Sequence, residues 1–380
     1  MNILRRWPNG VVALLGSSMC GVAHAQVPRA NLDSPQVRIA EPFSSLAGLR
    51  ELNDGRLLAA DAIEQVLWII DPASGTRHQL GRQGQGPGEY EMPGELFALR
   101  GDSTLMLDRL NRRFTVILPD GRLSTSTIPL RHPEGFPIFP RGVDLQGGIY
   151  FDLAGIMMPG LEEAAAAGRA PLLRWTPSSG VVDTLGFVQF PPMAGGARPG
   201  EVRVEIGGGA YRGRDEWSVT PVGRVGVARY QDYHVEWLTP GGETVSGAPL
   251  SYTPVRIGRA EKDAWADAMA TRGLTVEEEN GRRRVGRPPR PEVDHMEWPE
   301  VMPPFLSQAA RATPEGELWV ERASAAAAEH RTYDVFDGSG RLVRQVLLPA
   351  DRRVVGFGSG SVWVVRVDAD DLEWLERYGR

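Results

Sequence analysis

A single cysteine, Cys20, occurs in 380 residues, and it precedes the part of the chain that reads as folded. No disulfide framework can form, so an exported form of this protein must rely on its core. A cysteine nucleophile and thiolate zinc sites are excluded on the same ground. Histidine is nearly as sparse. His78, His132, His234, His295 and His330 stand singly, with none of the close helical spacings that metal sites use. No Gly-x-Ser-x-Gly elbow stands in context. Gly84-Gln85-Gly86 and Gly207-Gly208-Gly209 lack the strand-then-helix setting of a dinucleotide site. Nor is there an apolar run of the roughly 20 residues that a membrane-spanning helix needs. Lys262 is the only lysine, so arginine carries nearly all the positive charge, as a high-GC genome would produce. The formal net charge is −6, and losing Arg5 and Arg6 with a leader would take it to −8, which argues against nucleic acid as a partner.

The first 25 residues have the composition of a secretory signal. Arg5 and Arg6 form a basic start, Val11 to Met19 is a short apolar run, and Ala23-His24-Ala25 offers small residues before a cut at Gln26. The expected product, residues 26–380, is exported to the periplasm or beyond the cell and acts as a monomer.

A strand phrase recurs six times: Leu57 to Asp61, Thr104 to Asp108, Gly148 to Asp152, Val225 to Arg229, Leu318 to Arg322 and Val362 to Arg366. A glycine precedes each copy, namely Gly55, Gly101, Gly147, Gly223, Gly316 and Gly360. A second turn recurs downstream, as in Asp71-Pro72-Ala73-Ser74-Gly75, Leu118-Pro119-Asp120-Gly121 and Asp337-Gly338-Ser339-Gly340. The spacing of the undisturbed copies, about 45 residues, suits one four-stranded propeller blade. The chain therefore reads as all-β, a single six-bladed β-propeller of four-stranded blades. A β-sandwich pair is the alternative that the pattern allows. The last unit is one strand short, and Gln36 to Ala40 alternates like the strand that would complete it and remove the open edge. Two intervals are long, and the longer one holds a partly helical insertion, residues 253–304, between blades 4 and 5. Within it a helix is predicted over Arg259 to Arg272, with Trp265, Ala268, Met269 and Arg272 on one stripe. A hairpin follows, tipped by Asn280-Gly281. Another short helix is predicted within Leu161 to Gly168. Trp68, Trp175, Trp237, Trp319 and Trp363 fall in strands and read as blade core.

Gly81 to Tyr90, with its Gly86-Pro87-Gly88-Glu89-Tyr90 core, resembles the glycine-rich loop of bacterial secreted six-bladed propellers related to NHL-repeat proteins. Asp54 to Asp61 resembles the NHL strand phrase, and Met302-Pro303-Pro304-Phe305 ahead of Gly316 to Val320 is similar to the same group. The resemblance spans residues 26–380. It implies the fold and says little of function, since propellers host unrelated activities.

In such a fold the long loops gather on one face, where binding usually resides. The six strand ends point toward that face and change sign around the ring: Asp61, Asp108 and Asp152, then Arg229, Arg322 and Arg366. Converging, they would polarise the channel mouth and suit a ligand with separate cationic and anionic groups. Kept apart, they would cap turns and pair with neighbouring blades. Arg82, Glu89 and Tyr90 join the same face. The expected function is non-catalytic binding of a small molecule or partner protein there, without a cofactor. The alternative, by similarity to lactonase propellers, is a Ca²⁺-dependent hydrolase using the three aspartates. The 253–304 insertion reads either as a lid over the mouth or as an excursion on the rim.

Overall fold

The computed structural model describes residues 27–131, 138–157, 161–192, 203–204, 210–279 and 281–380. The expected signal segment, His132, Gly207 to Gly209 and the hairpin tip Asn280 lie outside the described residues. Six blades, each of four antiparallel strands, form a ring, as the repeat requires. In blade 1 the strands run Leu46–Glu51, Leu57–Asp61, Val66–Asp71 and Thr76–Leu80 from the axis outward. The innermost strands of blades 1 to 5 touch in succession around the axis, and that of blade 6 meets that of blade 1. Gly48 faces Gly94 there, where a side chain would collide with the neighbouring backbone carbonyl.

All six repeat glycines adopt positive φ, from 63° at Gly360 to 92° at Gly316. Each sits in the tight turn between the first and second strands, where a side chain would strain the backbone. The second strand then runs to the opposite face. Its apolar residues are wholly buried, for example Leu57, Met106, Tyr150, Val227, Trp319 and Val364. Trp217, Trp237, Trp319 and Trp363 are fully buried between blades, and their indole N–H groups are satisfied by Asp152, the Asp337 carbonyl, Glu317 and Glu51 respectively.

The N-terminal segment closes the ring. Val37–Arg38 pairs with Glu373–Gly379 as the outer strand of blade 6. Phe43 and Glu373 exchange two backbone hydrogen bonds of 2.9 Å, and the Glu373 carboxylate accepts one from the Leu46 amide at 2.7 Å. One addition has no sequence signal. Arg29–Asn31 pairs in parallel with Leu342–Pro349, giving blade 5 a fifth strand. Among the described residues, no helix is long and apolar enough to cross a membrane.

Phe43 packs at the seam among Leu57 and Ile70 of blade 1 and Trp363, Val365 and Leu375 of blade 6. Phe43→Ala is expected to cost about 3–5 kcal/mol in urea unfolding. A loss below about 1 kcal/mol would show that this seam does not hold the ring.

Candidate functional site

The six strand ends lie on the expected face but one strand out from the axis, and each is held by local partners. Asp61 is fully buried. Its carboxylate accepts from the amides of Ser44 (2.7 Å), Ser45 (3.3 Å), Ile63 (3.0 Å) and Glu64 (3.0 Å). Burial outweighs these bonds and pushes its pKa up. Asp108 does the same for Glu91, Met92 and Asn111. In both blades the aspartate ties the entry of the first strand to the exit of the second.

Around the ring the polarity of this latch reverses. Arg229 now donates to Asp215 at 2.7 Å, the residue that enters the first strand of blade 4, and to Glu236. Arg322 pairs with buried Asp334 at 3.0 Å, and Arg366 approaches Glu376 at 3.7 Å. Blade 3 is transitional. Asp152 accepts from Arg141 (3.2 Å), Arg214 (3.2 Å), the Trp217 indole (2.8 Å) and the Ala154 amide (2.9 Å). Glu216 bonds the same two arginines and the Gln308 amide, so this network joins blades 3, 4 and 5. The change from Asp to Arg thus follows from which strand supplies the carboxylate.

The glycine-rich loop folds on itself. Arg82 pairs with Glu89 at 2.6 Å, and Glu89 also accepts from the Gly86 amide. A side chain at Gly84 would overlap the Glu89 carboxylate. Tyr90 is buried, donating to the Leu80 carbonyl at 2.9 Å and accepting from the Leu67 amide at 3.0 Å, and burial raises its pKa. Arg113 secures the loop through the carbonyls of Gln85, Gly86 and Glu89.

The insertion covers this face. Its two ends are zipped together by the Ile257 amide on the Glu300 carbonyl and the Met302 amide on the Val255 carbonyl. The short helix α1 is Glu162–Ala166, and the helix α2 spans Arg259–Arg272. The expected apolar stripe on α2 is not its packed side: Ala266 is fully buried and Met269 is 41% exposed. The helix is held instead by Arg290 on Asp263 and Asp267, by Arg259 on Asp294, and by Trp265 edge-on to Trp298 at 5.5 Å. The hairpin Thr275–Glu279 and Arg282–Gly286 then reaches blades 1 and 2. Val285 is 4% exposed, buried with Ala62 and Met92 and flanked by Ala47, Ile63 and Leu110. Arg283 forks onto Glu91 (Nε to Oε1, 2.9 Å) and donates to the Leu110 carbonyl, and Arg287 donates to the Ser44 carbonyl at 2.7 Å. The insertion is rooted between blades 4 and 5 yet lands on blades 1 and 2, so it crosses the mouth.

Between the C-terminal end of α2 and blades 5 and 6 lies a cavity of about 130 Å³. Arg272, Arg331, Arg352 and Arg353 line it, with Asp351 and Glu373. No spacing rule could have found this set, because its members come from the insertion and from two blades. Among the described residues, no group of three or more His, Cys, Asp or Glu is arranged to hold a metal ion. The Asp61, Asp108 and Asp152 oxygens are committed to separate blades, so this donor set does not fit calcium.

Burial alone would raise the Asp152 pKa, but Arg141, Arg214 and the Trp217 indole outweigh it and hold it below the ordinary value. A depressed folded pKa gives stability that is present above the unfolded value of about 3.9 and lost as pH falls through the folded one. Asp152→Asn is therefore expected to destabilise clearly at neutral pH and progressively less below about pH 4. Equal destabilisation at both, read from urea midpoints, would contradict this.

No protein-family model matches the chain, and no curated protein matches it. Solved structures similar in fold include a member of the DUF4221 family from Bacteroides vulgatus, at 9% identity and a TM-score of 0.48, covering 92% of this chain and 96% of that one. Another is regucalcin, a calcium-binding protein from Agrobacterium tumefaciens, at 12% identity and a TM-score of 0.43, covering 93% and 98%. Virginiamycin B lyase from Staphylococcus aureus matches at 10% identity and a TM-score of 0.41, covering 90% and 98%. At such identities and scores these likenesses say nothing of activity. On its own geometry the chain is a six-bladed β-propeller with a capped loop face.

Proposed function

We propose that this protein is an exported, non-catalytic propeller that binds a small charged ligand at its loop face, beneath the cap formed by residues 253–304. The observation that carries this reading is the span of the cap. A tolerated excursion would pack on the rim beside its own roots. This one extends to Glu91, Leu110 and Ser44 and forms one wall of an arginine-lined cavity. Arginine suits such a role because its planar fork grips oxyanions through two parallel hydrogen bonds. The strand-end residues serve this site by holding the inner strands of blades 1 to 4 in place, and the direct ligand contacts fall to cavity residues.

The test is a thermal-shift screen of the purified protein against small polar metabolites, with calcium and with chelator. At least one small charged compound should raise Tm by mass action. The variant Arg283→Ala/Arg287→Ala, which unlatches the cap, should stay folded and lose that rise. A panel without any shift, or a shift indifferent to unlatching, would defeat the reading. Stabilisation by calcium that chelator reverses, with turnover of a lactone, would favour the hydrolase instead.

A further inference from the structure

The arginines beneath the cap are not equally employed. Arg331 pairs with Glu321 at 2.6 Å, and Arg353 with Glu373 at 2.6 Å. Arg352 pairs with Asp351 at 2.8 Å and Glu376 at 2.9 Å. Arg272 forms no ion pair or hydrogen bond with any described residue, although it lines the cavity. Arg311, on the inner strand of blade 5, has none either. Both feel the same two neighbours, Arg353 and Glu321. Desolvation, then the guanidiniums of Arg331 and Arg353, lowers the Arg272 pKa. The Nε of Arg353 is buried and has no partner.

The cavity wall carries four guanidiniums, Arg272, Arg331, Arg352 and Arg353, against three carboxylates, Asp351, Asp371 and Glu373, a surplus of one positive charge. Like charges gathered in a half-enclosed space repel, and the arrangement is relieved by a single anion. A dianion would over-neutralise the surplus and face Asp351, Asp371 and Glu373 on the cavity wall. We propose that the cavity between α2 and blades 5 and 6 binds the carboxylate of a small monoanion, gripped by the Arg272 fork. This rests on the reading that the capped face binds small ligands, and it names their chemical class. Arg272 is the last residue of α2, so carboxylate binding draws the cap onto blades 5 and 6. The ligand then becomes a third anchor beside Arg283 and Arg287.

Propionate and inorganic phosphate serve as probes at millimolar concentration, with chloride matching the ionic strength and the full folded chain as target. Propionate is expected to raise Tm above the chloride control, and phosphate to do so less. Arg272→Gln should weaken propionate by about tenfold or more, the loss expected for a charged hydrogen-bonded pair. Arg272→Lys should weaken it by less, keeping the charge without the fork. Arg284→Gln, an exposed change on the same insertion, should leave binding unaltered. A larger shift with phosphate would overturn the carboxylate assignment. Equal weakening by Arg272→Gln and Arg284→Gln, or no propionate shift, would overturn the site. Should propionate fail while another small compound binds in a cap-dependent way, this inference falls and the proposed function stands. Should unlatching the cap change no binding at all, the proposed function falls with it.

Discussion

An antiparallel sheet leaves a row of unpaired amides and carbonyls at its edge, and a ring of sheets is stable only when its first and last blades are joined. In this protein the joint is made by Val37–Arg38, Phe43 and the Glu373 carboxylate on the Leu46 amide. Glu51 adds to it from blade 1, accepting from the Trp363 indole of blade 6 at 2.6 Å. Because the ring closes, six inner strands enter from one face at fixed positions. Because they do, the turns holding Gly55, Gly101 and their counterparts collect on one side and the long connections on the other. The capped face follows from that closure.

The change of charge partway round the repeat has a physical cause of its own. Blades 1 to 4 hold the entry of the first strand against the exit of the second, across backbone groups that water does not reach. An aspartate does this by accepting several amides, as Asp61 and Asp108 do. An arginine does it in blade 4, where Asp215 at the entry of the first strand carries the carboxylate, whereas Arg322 and Arg366 tie the second strand to a carboxylate on the third, Asp334 and Glu376. Either solution leaves no buried charge alone, and removal of one partner would expose the desolvation cost of the other.

The repeat was legible because its evidence is local: a glycine at positive φ, an apolar strand, a charged end. The helix Arg259–Arg272 and the hairpin after it were legible for the same reason, through periodicity and turn residues. What periodicity could not give is where Val285 lands, since Ala62 and Met92 lie about two hundred residues earlier in the chain. Nor could it reveal that Arg272 would lack a carboxylate while Arg331 and Arg353 have one. Pairing of that kind depends on the juxtaposition of blades 5 and 6 with the insertion. The N-terminal strand Arg29–Asn31 was silent too, because three polar or small residues carry no alternation.

The cap is the central claim, and the near absence of cysteine makes it directly measurable. In a Cys20→Ser background, single cysteines at positions 285 and 276 can be compared for their rate of thiol modification. Val285 is 4% exposed and its hairpin neighbour Val276 is 46% exposed. A docked cap predicts slow labelling for Val285→Cys, fast labelling for Val276→Cys, and faster labelling of the first once Arg283 is also changed to alanine. Equal, fast labelling at both positions in the otherwise unaltered protein would contradict the account.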